Sequence, residues 1–159
     1  MIFITLGTQS CDFSRCLKMV EDMVIEYGIT EEIVAQTGHT KYKPSSFRCV
    51  DFVSEEKYQD YIENSSVVIS HAGTGALFSS IKKGKKIIAV ARLKQYGEML
   101  NDHQVEIVRK LSESGYILDG TNSVIDAWKQ LQSFIPKVCD FECSLPLEIG
   151  KLIDSWFLK

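Results

Sequence analysis

Residues 68 to 90 read VISHAGTGALFSSIKKGKKIIAV, and this stretch decides the organisation of the chain. It opens with a short apolar run rich in β-branched side chains, which predicts a buried strand. The small residues of HAGTG follow, then a helical pattern that ends at Gly84, then a second apolar run. The stretch therefore predicts a strand, a tight turn, a helix and another strand. Two parallel strands need such a crossover to connect them.

The same alternation extends in both directions. Short apolar runs predict strands at 2–5, 32–37, 47–53, 66–71, 85–91 and 116–120. Amphipathic segments predict helices at 11–28, 55–64, 75–83, 101–114 and 123–133. Strands that alternate with helices in this way predict an α/β domain with a doubly wound, Rossmann-like parallel sheet covered on both faces.

Length and composition limit the possible functions. With 159 residues, 45% of them hydrophobic and 25% charged, the chain predicts one domain spanning 1–159. The net charge is −3 and no basic face is evident, so nucleic acid is not expected as a partner. The five cysteines have neither the spacing of paired zinc ligands nor that of a secreted disulfide framework. They predict buried, reduced thiols in a cytoplasmic protein, and no metal site is expected.

Two predicted strand ends are followed by glycine-containing turns, LGTQS at 6–10 and HAGTG at 71–75. Ligands of such sheets bind beyond the carboxyl ends of the strands. Backbone N–H groups at a turn, and the positive end of the helix after it, favour an anion. Each turn alone is weak evidence, because neither matches GxGxxG or a P-loop and such turns are often structural. Together they predict a phosphate-bearing ligand.

A third polar segment, RLKQYGEMLNDHQ at 92–104, follows another predicted strand. One interpretation is an ordinary helix start, with Asn101 or Asp102 as the N-cap and solvated side chains at His103 and Gln104. The other is a site for a polyhydroxyl ligand, because a sugar needs carboxylate acceptors and amide donors in one place. The residues alone leave both interpretations open.

Four segments, in this order and spacing, resemble the C-terminal, donor-binding half of family 28-type GT-B glycosyltransferases. They are MIFITLGTQSCDFSRCLK, QTG, SHAGTGALFSSIKKGKKIIAVARLKQYGEMLNDHQVEI and GYIL. The resemblance extends over roughly the first three quarters of the chain, and is strongest to the small catalytic subunits of two-component bacterial capsular and exopolysaccharide glycosyltransferases. It implies inverting transfer of a hexose, with galactose expected, from a UDP-sugar to a polyprenyl-diphosphate-linked saccharide, without a cofactor.

A complete GT-B enzyme has two such domains, and this chain has the length of one. The resemblance therefore implies a membrane-anchored partner subunit that carries the acceptor domain. That partner would recruit this chain from the cytoplasm to the cytoplasmic face of the membrane. A homo-oligomer stays open for the chain in isolation.

The resemblance also implies roles for individual residues. The pyrophosphate would lie beside Gly7, Thr8 and Gln9, and the phosphate and ribose region beside His71, Ala72, Gly73, Thr74 and Gly75. The donor sugar would face Glu98, Asn101, Asp102 and Gln104. The catalytic residue is not identified, and the candidates are His71, Glu98 and His103. The resemblance also implies that several relatives have a Glu at the position of Ser79. The serine can still hydrogen-bond a ribose hydroxyl, but without the charge assistance that a carboxylate gives.

Two other functions are considered for a chain with these loops. A non-catalytic nucleotide-sugar-binding or regulatory subunit is the second hypothesis, and the departure at Ser79 favours it. Related nucleotide-sugar 2-epimerases are disfavoured because they use two such halves. Residues 145–159 predict an amphipathic helix, which either docks on the partner subunit or packs back on this domain's own sheet.

Overall fold

The computed structural model describes residues 1–137. Six parallel strands form one sheet in the order β3-β2-β1-β4-β5-β6. They are β1 (Ile2–Thr5), β2 (Ile33–Gln36), β3 (Arg48–Val50), β4 (Val67–Ser70), β5 (Lys86–Ala89) and β6 (Leu118–Asp119). The helices are α1 (Ser14–Tyr27), α2 (Glu55–Asn64), α3 (Thr74–Lys82), α4 (His103–Glu113) and α5 (Val124–Leu131). The predicted doubly wound, Rossmann-like α/β fold is confirmed.

Alternation along the strands explains why both faces of the sheet carry helices. On β1, the fully buried Ile2 and Ile4 belong to the apolar cluster that includes residues of α1 and α5. Phe3, between them, belongs to the cluster formed with α2, α3 and α4. A strand buried on both faces cannot alternate apolar with polar residues, which is why IFIT reads as a continuous apolar run.

The strand order reverses between β1 and β4, and this reversal positions the site. The two strands are neighbours, with Thr5 paired to Ser70 at their carboxyl ends. The loops that follow them therefore leave the sheet side by side. A crevice at such a reversal is where open α/β sheets bind ligands.

Two predictions concern features outside the sheet. The prediction of buried thiols holds for Cys16, whose burial raises its pKa to about 12, whereas Cys11 and Cys49 are partly exposed. The predicted helix at 145–159 lies outside the described residues. None of the helices within 1–137 has the length and apolar character needed to cross a bilayer. A short 3-10 turn, Lys94–Tyr96, was not predicted.

Candidate functional site

The two glycine-containing loops line one cleft of about 510 Å³, called here the glycine cleft. The first glycine loop (residues 7–10) follows β1, and the second (residues 71–75) follows β4 and begins α3. The structure brings these predicted site residues together along its walls: Gly7, Thr8, Gln9, His71, Gly73, Thr74, Gly75 and Ser79. Sequence segments more than sixty residues apart thus form one concave surface, because β1 and β4 are neighbours in the sheet.

The imidazole of His71 sits between the two glycine loops. Its Nδ1 lies 3.1 Å from the carbonyl oxygen of Thr5, and because a carbonyl only accepts, Nδ1 carries the proton and Nε2 is an acceptor. A Cβ added at Gly7 or Gly73 would lie 2.5 or 2.2 Å from Nε2. Both glycines therefore make room for this ring. Gly73 was predicted to lie beside the ligand, and its contact with the His71 ring was not predicted.

Burial also sets the charge of His71. The pKa of His71 is lowered from 6.5 to about 4, chiefly because burial desolvates the ring; the hydrogen bond with Thr5 opposes this shift, and the positive charge of Arg92 adds to it. The ring is therefore neutral at neutral pH. It offers a lone pair on Nε2 to the glycine cleft rather than a positive charge.

The start of α3 presents backbone donors to the glycine cleft. Gly73 is the N-cap and provides no side-chain cap, so N–H groups of the first turn stay available to a ligand. Ala72, just before it, has a φ of +62°, a strained conformation for a residue with a Cβ, and its side chain is buried in the core with α3 and α4. Ala72 was predicted to line the phosphate region. Its side chain is not among those that line the glycine cleft. Its backbone instead turns the chain from β4 into α3.

A series of hydrogen-bonded polar side chains connects α3 to α2 along the wall of the glycine cleft. Ser79 Oγ donates to Gln59 Oε1 at 3.1 Å, and Gln59 Nε2 donates to Glu55 Oε1 at 2.7 Å. Gln59 and Glu55 both line the glycine cleft. Neither residue was predicted to belong to the site, although their i, i+4 spacing on α2 indicates that the two side chains are neighbours on one helix face. A carboxylate is thus present on the wall that includes Ser79, the position at which the resemblance leads us to expect a Glu.

The segment between β5 and α4 uses most of its polar groups to hold its own shape. Asp102 Oδ1 accepts from the backbone N–H of Lys94 at 2.8 Å. The buried Gln104 accepts from the backbone N–H of Arg92 at 3.0 Å. Both residues were predicted to face a donor sugar, and these contacts favour a structural role. His103 begins α4 at the exposed surface and is not among the residues that line the glycine cleft.

Asn101 has a different position from its neighbours. It lines a second cavity of about 360 Å³ together with Gln9, Leu100 and three other residues. Gln9 lines the glycine cleft as well, so the two cavities share one wall. The structure therefore keeps Asn101 near the predicted ligand and separates it from Glu98.

Glu98 faces a third cavity, which it lines with Arg15 and Tyr96. The carboxylate forms a two-pronged ion pair with Arg15, with Nε–Oε1 and Nη2–Oε2 distances of 2.9 Å. It also accepts from the backbone N–H of Leu93 at 2.9 Å. Both oxygens are thus bound within the protein, and Glu98 is not in the glycine cleft. These contacts disfavour the predicted role in catalysis or sugar binding.

Metal-binding side chains do not cluster in the described part of the chain. Among residues 1–137, the structure contains no group of three or more His, Cys, Asp or Glu side chains that could hold a metal ion.

Known proteins resemble this chain in sequence. The profile described as glycosyltransferase family 28 C-terminal domain matches residues 1–136. The UDP-N-acetylglucosamine transferase subunit ALG13 of Homo sapiens is 28% identical over 139 residues, 83% of this chain and 12% of that protein. The Mus musculus protein of the same name is also 28% identical, over 77% of this chain and 11% of its own length. This chain therefore matches about a tenth of the mammalian relatives.

Solved structures resemble it in fold. An NMR solution structure of ALG13 superposes with a TM-score of 0.61 at 20% identity, covering 95% of this chain and 93% of that one. The glycosyltransferase SnogD from Streptomyces nogalater has a TM-score of 0.57 at 17% identity, covering 82% and 34%. Identities this low show the fold alone, whereas the sequence profile covers nearly all of the described residues. The chain belongs to the family of glycosyltransferase family 28 C-terminal domains.

Proposed function

We propose that this chain is the donor-binding subunit of an inverting glycosyltransferase that transfers a hexose from a UDP-sugar to a polyprenyl-diphosphate-linked saccharide. The observation that carries the proposal is the glycine cleft, in which two glycine loops and the start of α3 converge. Such a cleft suits a diphosphate, because backbone N–H groups and a helix N-terminus bind anions without a steric barrier.

The same groups favour the chemical step. When an acceptor hydroxyl displaces the nucleotide, negative charge develops on the departing diphosphate, and fixed N–H dipoles stabilise that charge in the transition state. His71, neutral and with Nε2 open to the cleft, accepts a hydrogen bond from a hydroxyl of the donor. Glu55 and Gln59 supply acceptors for the ribose hydroxyls on the wall that includes Ser79.

We assign the catalytic base to a partner subunit. Glu98 is ion-paired with Arg15, and His71, whose pKa is lowered to about 4, is a weak base at neutral pH. His103 lies at the exposed start of α4. The partner would anchor this cytoplasmic chain to the membrane and bring the acceptor domain, because a GT-B active site forms between two domains. The word "subunit" in the relatives' name supports this division.

The relatives' name indicates a donor sugar different from the one expected from the sequence. The sequence analysis expected galactose and a capsular or exopolysaccharide product, and the comparisons support neither. The curated relatives are instead named for UDP-N-acetylglucosamine. Three donors therefore have to be compared.

The test is transfer of radiolabel from UDP-galactose, UDP-N-acetylglucosamine and UDP-glucose to membrane lipid, with and without a co-expressed membrane subunit. We expect transfer from one donor, and only when both subunits are present. Nucleotide binding without transfer from any of the three, in the presence of the partner, would contradict the proposal and identify a non-catalytic binding or regulatory subunit.

A further inference from the structure

Arg92 follows β5, and its guanidinium lies buried against the first glycine loop. The residue is 1% exposed. Its Nη2 donates to the carbonyl of Leu6 and its Nη1 to the carbonyl of Cys11, both at 3.0 Å. These two carbonyls flank residues 7–10 on either side. One side chain therefore fixes both ends of the loop that lines the glycine cleft.

The charge of Arg92 has no paired counter-ion within residues 1–137. Glu98, the acidic side chain on the same segment, forms its ion pair with Arg15, and Glu98 and Asp12 act on Arg92 only from longer range. The face of Phe13 lies 4.5 Å from the guanidinium carbon, which attracts the cation without neutralising it. No carboxylate among residues 1–137 therefore contacts the guanidinium of Arg92, although Asp12 and Glu98 lie close enough to act on it.

A buried charge without a contacting counter-ion is destabilising, and an anion bound nearby would stabilise it. The nitrogen Nε of Arg92 is also buried without a hydrogen-bond partner among the described residues. The field of this charge reaches the glycine cleft, since it contributes to the low pKa of His71, which lines that cleft.

We propose that Arg92 is a positioning residue for the diphosphate of the donor, which it attracts across the first glycine loop through its buried charge. The inference rests on the proposed function, because it presupposes an anion in the glycine cleft. Arg92 does not line the cleft, so it acts through the loop and through its field.

The experiment separates the charge of Arg92 from its hydrogen bonds. Arg92→Gln removes the charge and keeps an amide donor for one carbonyl, whereas Arg92→Lys keeps the charge and loses the two-pronged geometry. Arg109→Gln is the matched control, because Arg109 lies exposed on α4 and its ion pair within residues 1–137 is with the exposed Glu113. Calorimetry at constant ionic strength gives the affinity of each variant for UDP and for inorganic pyrophosphate.

We expect Arg92→Gln to lower the affinity for UDP and for pyrophosphate by about tenfold or more, because a charge in a poorly solvated site interacts strongly with an anion. Arg92→Lys, which keeps the charge, should lower these affinities by about threefold or less. Arg109→Gln should match the wild type. Equal losses in the two Arg92 variants, or no loss in Arg92→Gln, would overturn the inference and leave the proposed function intact. A wild-type protein that binds neither ligand would overturn the proposed function itself.

A second measurement applies if Arg92→Gln does not fold. In the wild-type protein, the Nε–H resonance of Arg92 should shift when pyrophosphate is added, and that of Arg109 should not. No shift at Arg92 while backbone resonances of the first glycine loop move would overturn the inference.

Discussion

The ion pair between Arg15 and Glu98 gives the sharpest prediction about stability. The side chains are 19% and 5% exposed, and the pair is bidentate. Arg15→Met would leave a buried carboxylate with the Leu93 N–H as its remaining donor. Breaking a buried pair from one side costs about 3–5 kcal/mol. Arg15 also donates to the carbonyls of Ala91 and Thr121, so we expect a loss of about 4 kcal/mol.

Urea unfolding followed by far-UV circular dichroism measures this loss as a shift in midpoint at constant slope. The double variant Arg15→Met/Glu98→Leu should recover at least about half of it, because neither charge of this pair stays buried without its partner. Arg109→Met, which breaks an exposed pair, should change stability little. A loss below about 1 kcal/mol in Arg15→Met, together with abolished transfer in a stable Glu98→Gln, would refute the structural role given to Glu98.

Three further predictions concern the glycine cleft. His71 has a pKa of about 4 in the folded protein and 6.5 in the unfolded chain, so the unfolded chain binds the proton more tightly. The free energy of unfolding should therefore fall by up to about 3 kcal/mol as the pH drops from 6.5 to 4. His71→Gln should remove this contribution to the pH dependence, as measured by urea unfolding at each pH. Ser79→Glu should tighten UDP binding several-fold in calorimetry through charge-assisted bonds to the ribose, and unchanged affinity would place the ribose elsewhere. Gly73→Ala should displace the His71 ring and weaken UDP binding while the far-UV spectrum is preserved, whereas an unfolded variant would make this glycine purely structural.

The sequence predicted the fold well because its evidence is local. Each strand is a short apolar run and each α-helix has a periodic apolar face, so these elements could be recognised without their neighbours, whereas the short 3-10 turn has no such pattern. The glycine cleft was predicted for a related reason: glycines directly after strands mark places where the backbone must turn or be approached closely.

The remaining site residues depend on partners that are distant in sequence. Glu98 and Arg15 are 83 residues apart, and Arg92 and Leu6 are 86 apart. Nothing near Glu98 in the sequence distinguishes a carboxylate that binds a sugar from one that binds an arginine. The same limit applies to Gln59, whose contact with Ser79 exists only because α2 and α3 cover the same face of the sheet.

The central claim is that this chain binds a nucleoside diphosphate in the glycine cleft, and an amide NMR titration with UDP tests it most directly. We predict saturable shifts, in the millimolar range or below, concentrated at Gly7, Thr8 and the start of α3. The cavity beside Glu98 and Arg15 should stay unperturbed. An absence of shifts at millimolar UDP, or shifts confined to that other cavity, would contradict the claim.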